Sequence, residues 1–234
     1  MADPAEAKVL ALIPAYNEGE RVAPVVRAVL AYLPVLVVDD GSTDQTAQFA
    51  TDAGAEVLQQ QPNQGKGAAL LAGFAAALAR GFQAVVTLDA DGQHDPGEIP
   101  LFLAAFKEWH SDLIIGQRDF KSMPLVRRLS NTLGTLIFSW ALRQPVPDNQ
   151  SGYRLISRRL MEAIAGNRER GFEFEVEMIV TCVLKGYRLN WVPIRTIYAG
   201  EKSHIRPLRH LAKFLQITMK TNRMMRAAQR KPGA

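Results

Sequence analysis

The sequence predicts an α/β protein, a mostly parallel sheet with helices flanking it. Three observations carry that reading. Apolar runs of strand length alternate with longer stretches of helical periodicity. The loops between them are short, as in doubly wound sheets. Polar clusters follow several of the apolar runs: Asn17 with Glu18, Asp39 with Asp40, Asp89 with Asp91, and Arg118. Parallel strands end at one edge, and ligands of open α/β sheets bind outside that edge. The clusters are therefore expected to line one crevice.

In chain order, Lys8 to Ile13 reads as a strand buried on both faces, stopping at Pro14-Ala15-Tyr16-Asn17-Glu18. Glu20 to Leu33 is expected to be helical, with Val22, Val25, Val26, Val29 and Leu30 on one side. Val35 to Val38 is a second strand, and Ser42 or Thr43 is expected to cap the helix carrying Ala47, Phe49 and Ala50. Glu56 to Leu58 is a short third strand. Asn63-Gln64-Gly65-Lys66-Gly67 opens an Ala-rich helix to Arg80. Strand Ala84 to Leu88 follows, then a helix from about Gly97 to Trp109, then strand Asp112 to Ile115, ending at Gly116-Gln117-Arg118.

A chain of 234 residues, 47% hydrophobic and 22% charged, suits one soluble α/β domain with a real core. No secretory signal opens it, and no apolar run approaches the ~20 residues of a membrane span. The single Cys182 can form no internal disulfide; it reads as a small core residue in a reducing compartment. The net charge of +5 is unevenly placed, because Arg206 to Lys231 holds no Asp or Glu. Charge alone is a thin basis for nucleic-acid binding, and no nucleic-acid partner is expected.

Asp89 and Asp91 sit one residue apart where a strand ends. Mg²⁺ and Mn²⁺ take oxygen ligands, often one or two carboxylates completed by substrate phosphates. The pair thus suits a divalent ion holding a diphosphate, or else a polar turn closing a strand. Gln93, His94 and Asp95 add polar ligands to the first reading. No Gly-x-Gly-x-x-Gly follows the first strand, and Gly65-Lys66-Gly67 lacks the Ser or Thr of a P-loop. Lys66 and backbone N–H groups at a helix start still suit an anion.

Together, Ile-Pro-Ala-Tyr-Asn-Glu (13–18), Val-Asp-Asp-Gly-Ser-Thr-Asp (38–44), Asn-Gln-Gly-Lys-Gly (63–67), Asp-Ala-Asp-Gly-Gln-His (89–94) and Gly-Gln-Arg (116–118) resemble the family 2 nucleotide-sugar glycosyltransferases of GT-A fold. The likeness to the dolichyl-phosphate mannose and glucose synthase branch continues through Asp-Asn-Gln-Ser-Gly-Tyr-Arg (148–154), Gly-Phe-Glu-Phe-Glu (171–175) and Gly-Glu-Lys-Ser-His-Ile (200–205). The resemblance implies one catalytic domain over 1–206, its nucleotide-binding half at about 8–118 and its acceptor half at about 119–206, before a basic helical tail at 207–234. It implies that Pro14, Tyr16, Asn17, Glu18, Asp39, Asp40, Lys66, Asp89 and Ala90 bind the nucleotide. Asp89 and Asp91, with Gln93, would hold Mg²⁺ or Mn²⁺, and His204 is a further candidate ligand. Asp91, Asp148, Arg118 and Arg154 are the implied catalytic residues.

The acceptor decides what chemistry is needed. A hydroxyl acceptor needs a general base, for which Asp148 and Glu175 are candidates. A phosphate monoester, with a second pKa of about 6, is largely dianionic at neutral pH and needs cations instead. Arg118, Arg127, Arg154 and Lys202 are the favoured phosphate ligands, with Arg128, Arg206 and Arg209 also available. The reading is an inverting transfer from a GDP- or UDP-sugar to polyprenyl or dolichyl phosphate. The alternative acceptor is a saccharide or other hydroxyl compound of the cell envelope.

Two amphipathic stretches bear on location. Val126, Leu129, Leu133, Leu136, Ile137 and Trp140 form a helical apolar stripe within Leu125 to Leu142, flanked by basic residues. It suits a helix lying in a membrane interface, a helix packed on the sheet, or a dimer contact. Leu208, Leu211, Ala212, Leu215 and Met219 make a second stripe beside Lys213, Lys220, Arg223, Arg226 and Arg230. The chain is expected to work in the cytoplasm, peripherally on the inner membrane face, or with a membrane protein partner.

Overall fold

Among the described residues of the computed structural model, seven strands build one sheet. Those residues are 7–120, 125–167, 173–195, 197 and 207–229, with the side chains of 125–127, 207–213 and 228–229 left aside. The strands are β1 (Val9–Ala15), β2 (Val35–Asp39), β3 (Glu56–Gln59), β4 (Ala84–Thr87), β5 (Leu113–Arg118), β6 (Arg154–Ser157) and β7 (Leu189–Ile194). Their order is β3-β2-β1-β4-β6-β5-β7. β6 runs antiparallel between β4 and β5, and the remaining pairs are parallel. The C-terminal ends of β1, β2, β4 and β5 therefore share an edge with the start of β6.

The helices are α1 (Val22–Leu30), α2 (Thr46–Asp52), α3 (Lys66–Ala79), α4 (Ile99–Trp109), α5 (Leu125–Leu142), α6 (Arg158–Ile164), α7 (Glu173–Leu184) and α8 (Pro207–Gln229). Strand side chains alternate between faces, so β1 feeds two cores. Val9, Ala11 and Ile13 join Val22, Val26 and Val29 of α1 and Ile99 and Phe102 of α4. Leu10 and Leu12 join Leu70 and Phe74 of α3, and Phe174 and Ile179 of α7. Gly73 lets α3 close on the sheet, since a Cβ there would lie 2.3 Å from Leu12 Cδ1. Cys182 is the core residue expected of it, and burial pushes its thiol up to about 12.

Several expectations are corrected. The first helix is shorter than Glu20 to Leu33: a 3-10 turn over Gly19–Arg21 leads into α1, and Leu30 is exposed. Neither Ser42 nor Thr43 caps α2; the Asp44 carboxylate accepts the Thr46 N–H instead, at 3.0 Å. The α5 stripe does not pack on the sheet. Leu129, Leu133, Leu136 and Trp140 are 59–70% exposed, whereas Phe138, Ala141 and Leu142 are buried. On α8 likewise, Leu215 and Met219 face outward while Ile217, Thr218 and Thr221 are buried. Ile217 belongs to the same core as α3 and α7, so α8 is docked on the domain.

Gly41 ties two loops of the site edge. It has φ +78°, and a Cβ on it would lie 2.8 Å from the Asn63 backbone nitrogen. Gly41→Ala is expected to cost about 1–3 kcal/mol of stability through left-handed strain, to be read as a lower urea midpoint.

Candidate active site

At the shared edge, β4 delivers Asp89 and Asp91 just past its end. Asp89 Oδ1 lies 2.6 Å from Lys66 Nζ, at the first residue of α3. The same ammonium lies 3.0 Å from Glu175 Oε1 of α7. Burial alone would raise the Asp89 carboxyl, but Lys66, with help from Arg118, holds it down at about 2. Burial alone would lower Lys66, but Asp89 and Glu175 hold it above its ordinary value. Both partners are therefore charged at neutral pH.

The backbone closes around this group. A Cβ on Gly152 would lie 2.7 Å from Asp89 Oδ2 and 3.1 Å from Lys66 Nζ. Gly152 is held in turn by its carbonyl, which accepts from Thr87 Oγ1 at 2.7 Å. His94 is not presented as a ligand. It is buried against the Tyr153 ring, and its Nδ1 accepts the Asp89 backbone N–H at 3.1 Å. Burial pushes its imidazole down to about 4, so it is neutral and braces the loop. Asp95 is also structural, accepting the Gly97 N–H at 2.9 Å. Asp91 Oδ1 accepts the Gln93 backbone N–H at 2.9 Å.

The expected nucleotide-binding residues gather at the β1 and β2 ends, and several of them hold loops. Asp40 accepts the N–H groups of Gln64 and Gly65 at 2.9 and 2.7 Å, fixing the approach to Lys66. Asn17, with φ +53°, joins the two loops by accepting the Thr43 N–H at 2.8 Å and donating its own N–H to Ser42 Oγ at 2.9 Å. Asp39 uses Oδ1 for Ser42. Glu18 pairs with Arg21 at 3.0 Å. Tyr16 is 47% exposed at the rim, Pro14 is partly buried and Ala90 is buried.

At the end of β5 Arg118 grips Asp148 with two bonds, Nε to Oδ2 at 2.7 Å and Nη2 to Oδ1 at 2.9 Å. Asp148 is wholly buried and also accepts the Gln150 N–H at 3.0 Å. Both of its oxygens are engaged, so it orients Arg118 and is not placed as a free base. Arg154 is a correction. It is 1% exposed and donates to the carbonyls of Ser151, Asn149 and Glu175 at 2.7, 3.2 and 2.5 Å. It clamps backbone and is not presented to a phosphate. Arg128 is exposed on α5. The side chains of Arg127 and Arg209, and all of Lys202, His204 and Arg206, lie outside the described residues.

Residues 11–165 match the family model of glycosyl transferase family 2. The chain belongs to this family. An undecaprenyl-phosphate mannosyltransferase of Micrococcus luteus is 33% identical over 202 residues, covering 80% of this chain and 82% of its own. A UDP-N-acetylglucosamine–dolichyl-phosphate N-acetylglucosaminyltransferase of Methanococcus voltae is 28% identical over 220 residues, 83% of this chain and 87% of its own. Among solved structures, glucosyl-3-phosphoglycerate synthase of Mycobacterium tuberculosis, in complex with Mn²⁺, UDP-glucose and phosphoglyceric acid, matches with TM-score 0.73 at 20% identity, covering 100% of this chain and 83% of that one. That likeness shows the fold, and the expected GT-A arrangement is borne out.

This glycosyltransferase has no cluster of three or more His, Cys, Asp or Glu placed for a metal among the described residues. Two carboxylates completed by substrate oxygens and water are nonetheless a usual Mg²⁺ or Mn²⁺ arrangement. Asp89 and Asp91 fit that substrate-completed kind of site. A cavity of about 690 Å³ opens elsewhere, lined by Asp112, Ser157, Arg158, Arg159 and Arg188. It lies at the opposite sheet edge, away from the family's motifs. The part of the site that sequence reasoning missed is the contact geometry: the bracing His94, the close approach at Gly152 and the joining of Glu175 to Lys66.

Two variants test these assignments. Gly152→Ala is expected to displace Asp89 and Lys66 and to slow transfer by about tenfold to a hundredfold, with the circular dichroism spectrum retained. Arg154→Leu strips donors from buried carbonyls and is expected to cost about 3 kcal/mol or more. Denaturant melts would show that loss, which a purely phosphate-binding arginine would not produce.

Proposed function

We propose that this transferase moves a sugar, with inversion, from a nucleoside-diphosphate donor to a polyprenyl phosphate. One observation carries the acceptor class. The two carboxylates available as general bases, Asp148 and Glu175, are each bound to a cation, Arg118 and Lys66. A hydroxyl acceptor would want a carboxylate ready to take its proton. A phosphate acceptor is already ionised and wants a positioned arginine. Arg118, held in a bidentate grip, supplies one. The names of the two relatives support the same class, since one uses undecaprenyl phosphate and the other dolichyl phosphate. The sugars in those two names differ, mannose in one and N-acetylglucosamine in the other, so the names support the acceptor class and not a particular sugar.

In this reading Asp89 and Asp91, with Gln93 beside them, hold Mg²⁺ or Mn²⁺. A bound divalent ion offsets the charge that grows on the leaving diphosphate. The Mn²⁺ complex of the solved neighbour supports a divalent metal as cofactor. The exposed Tyr16 ring and the Asp39 carboxylate take the nucleoside, and Lys66 serves the diphosphate. The nucleotide half over about 8–118 and the acceptor half over about 119–206 divide the work accordingly.

The lipid reaches the site at a membrane surface. Neither α5 nor α8 contains an acidic residue. Together they expose Leu129, Leu133, Leu136, Trp140, Leu215 and Met219 beside the exposed Arg128, Arg223 and Arg226. Among the described residues no helix is long and apolar enough to cross a membrane. An apolar stripe edged with cations fits an anionic bilayer surface.

Nucleotide release from UDP- and GDP-sugars, with Mg²⁺ or Mn²⁺, is expected to require a short polyprenyl phosphate and to yield a glycolipid. Asp91→Ala should abolish it with the melting temperature retained. Tight donor binding without lipid stimulation would favour a hydroxyl acceptor instead. Leu133→Asp with Trp140→Asp is expected to release the protein from vesicles containing phosphatidylglycerol in a flotation assay. Failure of the unsubstituted protein to float on such vesicles would turn that face toward a protein partner.

A further inference from the structure

We propose that Lys66 is a resident counter-ion that keeps the divalent cation's place on Asp89 until a nucleoside diphosphate arrives. The inference rests on the reading that Asp89 and Asp91 are the metal carboxylates. Lys66 Nζ is 2.6 Å from Asp89 Oδ1 and 3.0 Å from Glu175 Oε1. Two carboxylates, one just past the end of β4 and one on α7, thus close on one ammonium. Gly152 presses against the same group, leaving no room there even for a methyl.

Without a cation between them, Asp89 and Glu175 would repel in a partly buried site. Lys66 removes that repulsion in the empty enzyme. An ammonium and a divalent ion cannot share one carboxylate without repelling each other. That repulsion favours Lys66 leaving Asp89 as the metal arrives, with Glu175 remaining as its tether. A phosphate oxygen of the donor then offers Lys66 a new anionic partner in exchange for Asp89. The helix start is built for that exchange, because Asp40 holds the Gln64 and Gly65 N–H groups and fixes the base of the lysine.

The consequence is a coupling between two ligands. Metal alone must displace Lys66 and binds weakly, in proportion to the fraction of Asp89 left open. Metal with nucleotide gives Lys66 somewhere to go, so each ligand tightens the other. Removing the ammonium should have opposite effects on the two. Metal alone binds better, nucleotide binds worse, and the coupling shrinks.

The test is Mn²⁺ binding to the full chain, followed by electron paramagnetic resonance, without nucleotide and with UDP or GDP. Lys66→Met is expected to bind Mn²⁺ alone about tenfold tighter than the parent and to gain less from nucleotide. Lys66→Arg, which keeps the charge, should behave like the parent. Should Lys66→Met fold poorly, Lys66→Gln keeps a hydrogen bond without the charge, and Mn²⁺ should raise its melting temperature more than the parent's. Unchanged or weaker Mn²⁺ binding in the uncharged variants, with binding lost in Asp91→Ala, would overturn the place-holding role and leave the metal reading standing. No Mn²⁺ binding by parent or variant, with or without nucleotide, would remove both.

Discussion

The contact between Lys66 and Asp89 is the one on which the site edge depends. It joins the start of α3 to the end of β4, and Glu175 adds α7 to the same charge. Each neighbouring feature has a reason once that contact is in place. Asp40 spends both oxygens on the loop that leads to Lys66. His94 stays neutral because it is buried, and its Nδ1 holds the Asp89 backbone N–H. Position 152 is glycine because a side chain would occupy the space of the ion pair. Lys66 and Asp89 are only partly open to solvent and Glu175 shares the same ammonium, so these residues form a unit.

Much of this could be read in the sequence. Strands buried on both faces announce themselves as continuous apolar runs, and β1, β2 and β4 fall within two residues of their expected bounds. The clustering of polar residues at one edge followed from parallel topology alone. β6 did not, because Leu155 and Ile156 carry no mark of direction, and only the sheet order reveals an antiparallel insertion. The outward stripe of α5 was visible as a stripe, but periodicity does not say which face meets the core. Phe138 and Leu142 decide that, by being the residues that bury. Contacts between elements distant in sequence, such as Lys66 with Glu175, exist only after folding.

The membrane-facing reading and the catalytic reading constrain one another. A polyprenyl phosphate presents an ionised head at the bilayer surface and an apolar tail within it. Its transferase needs a cation near the sheet edge and an apolar, basic platform nearby. Arg118 at the end of β5 and the exposed stripe of α5 are separated by only a short connection in the chain. The polar and apolar requirements of one substrate thus fall on consecutive elements.

Arg118 and Arg154 show how a family motif and its chemistry can part. Both sit at the ends of adjacent strands, Arg118 closing β5 and Arg154 opening β6. Their partners separate them. Arg154 donates to three carbonyls, neutral groups that nothing mobile could replace, and burial lowers its basicity without removing its charge. Arg118 donates to a carboxylate that itself has no exposure, leaving the guanidinium held at a fixed angle and partly open to solvent. A guanidinium tied to backbone stabilises a loop, whereas one held by a buried acid and partly open to solvent can still present donors outward, which is what the proposed phosphate role asks of it. The partner, more than the residue type or its motif, assigns the role.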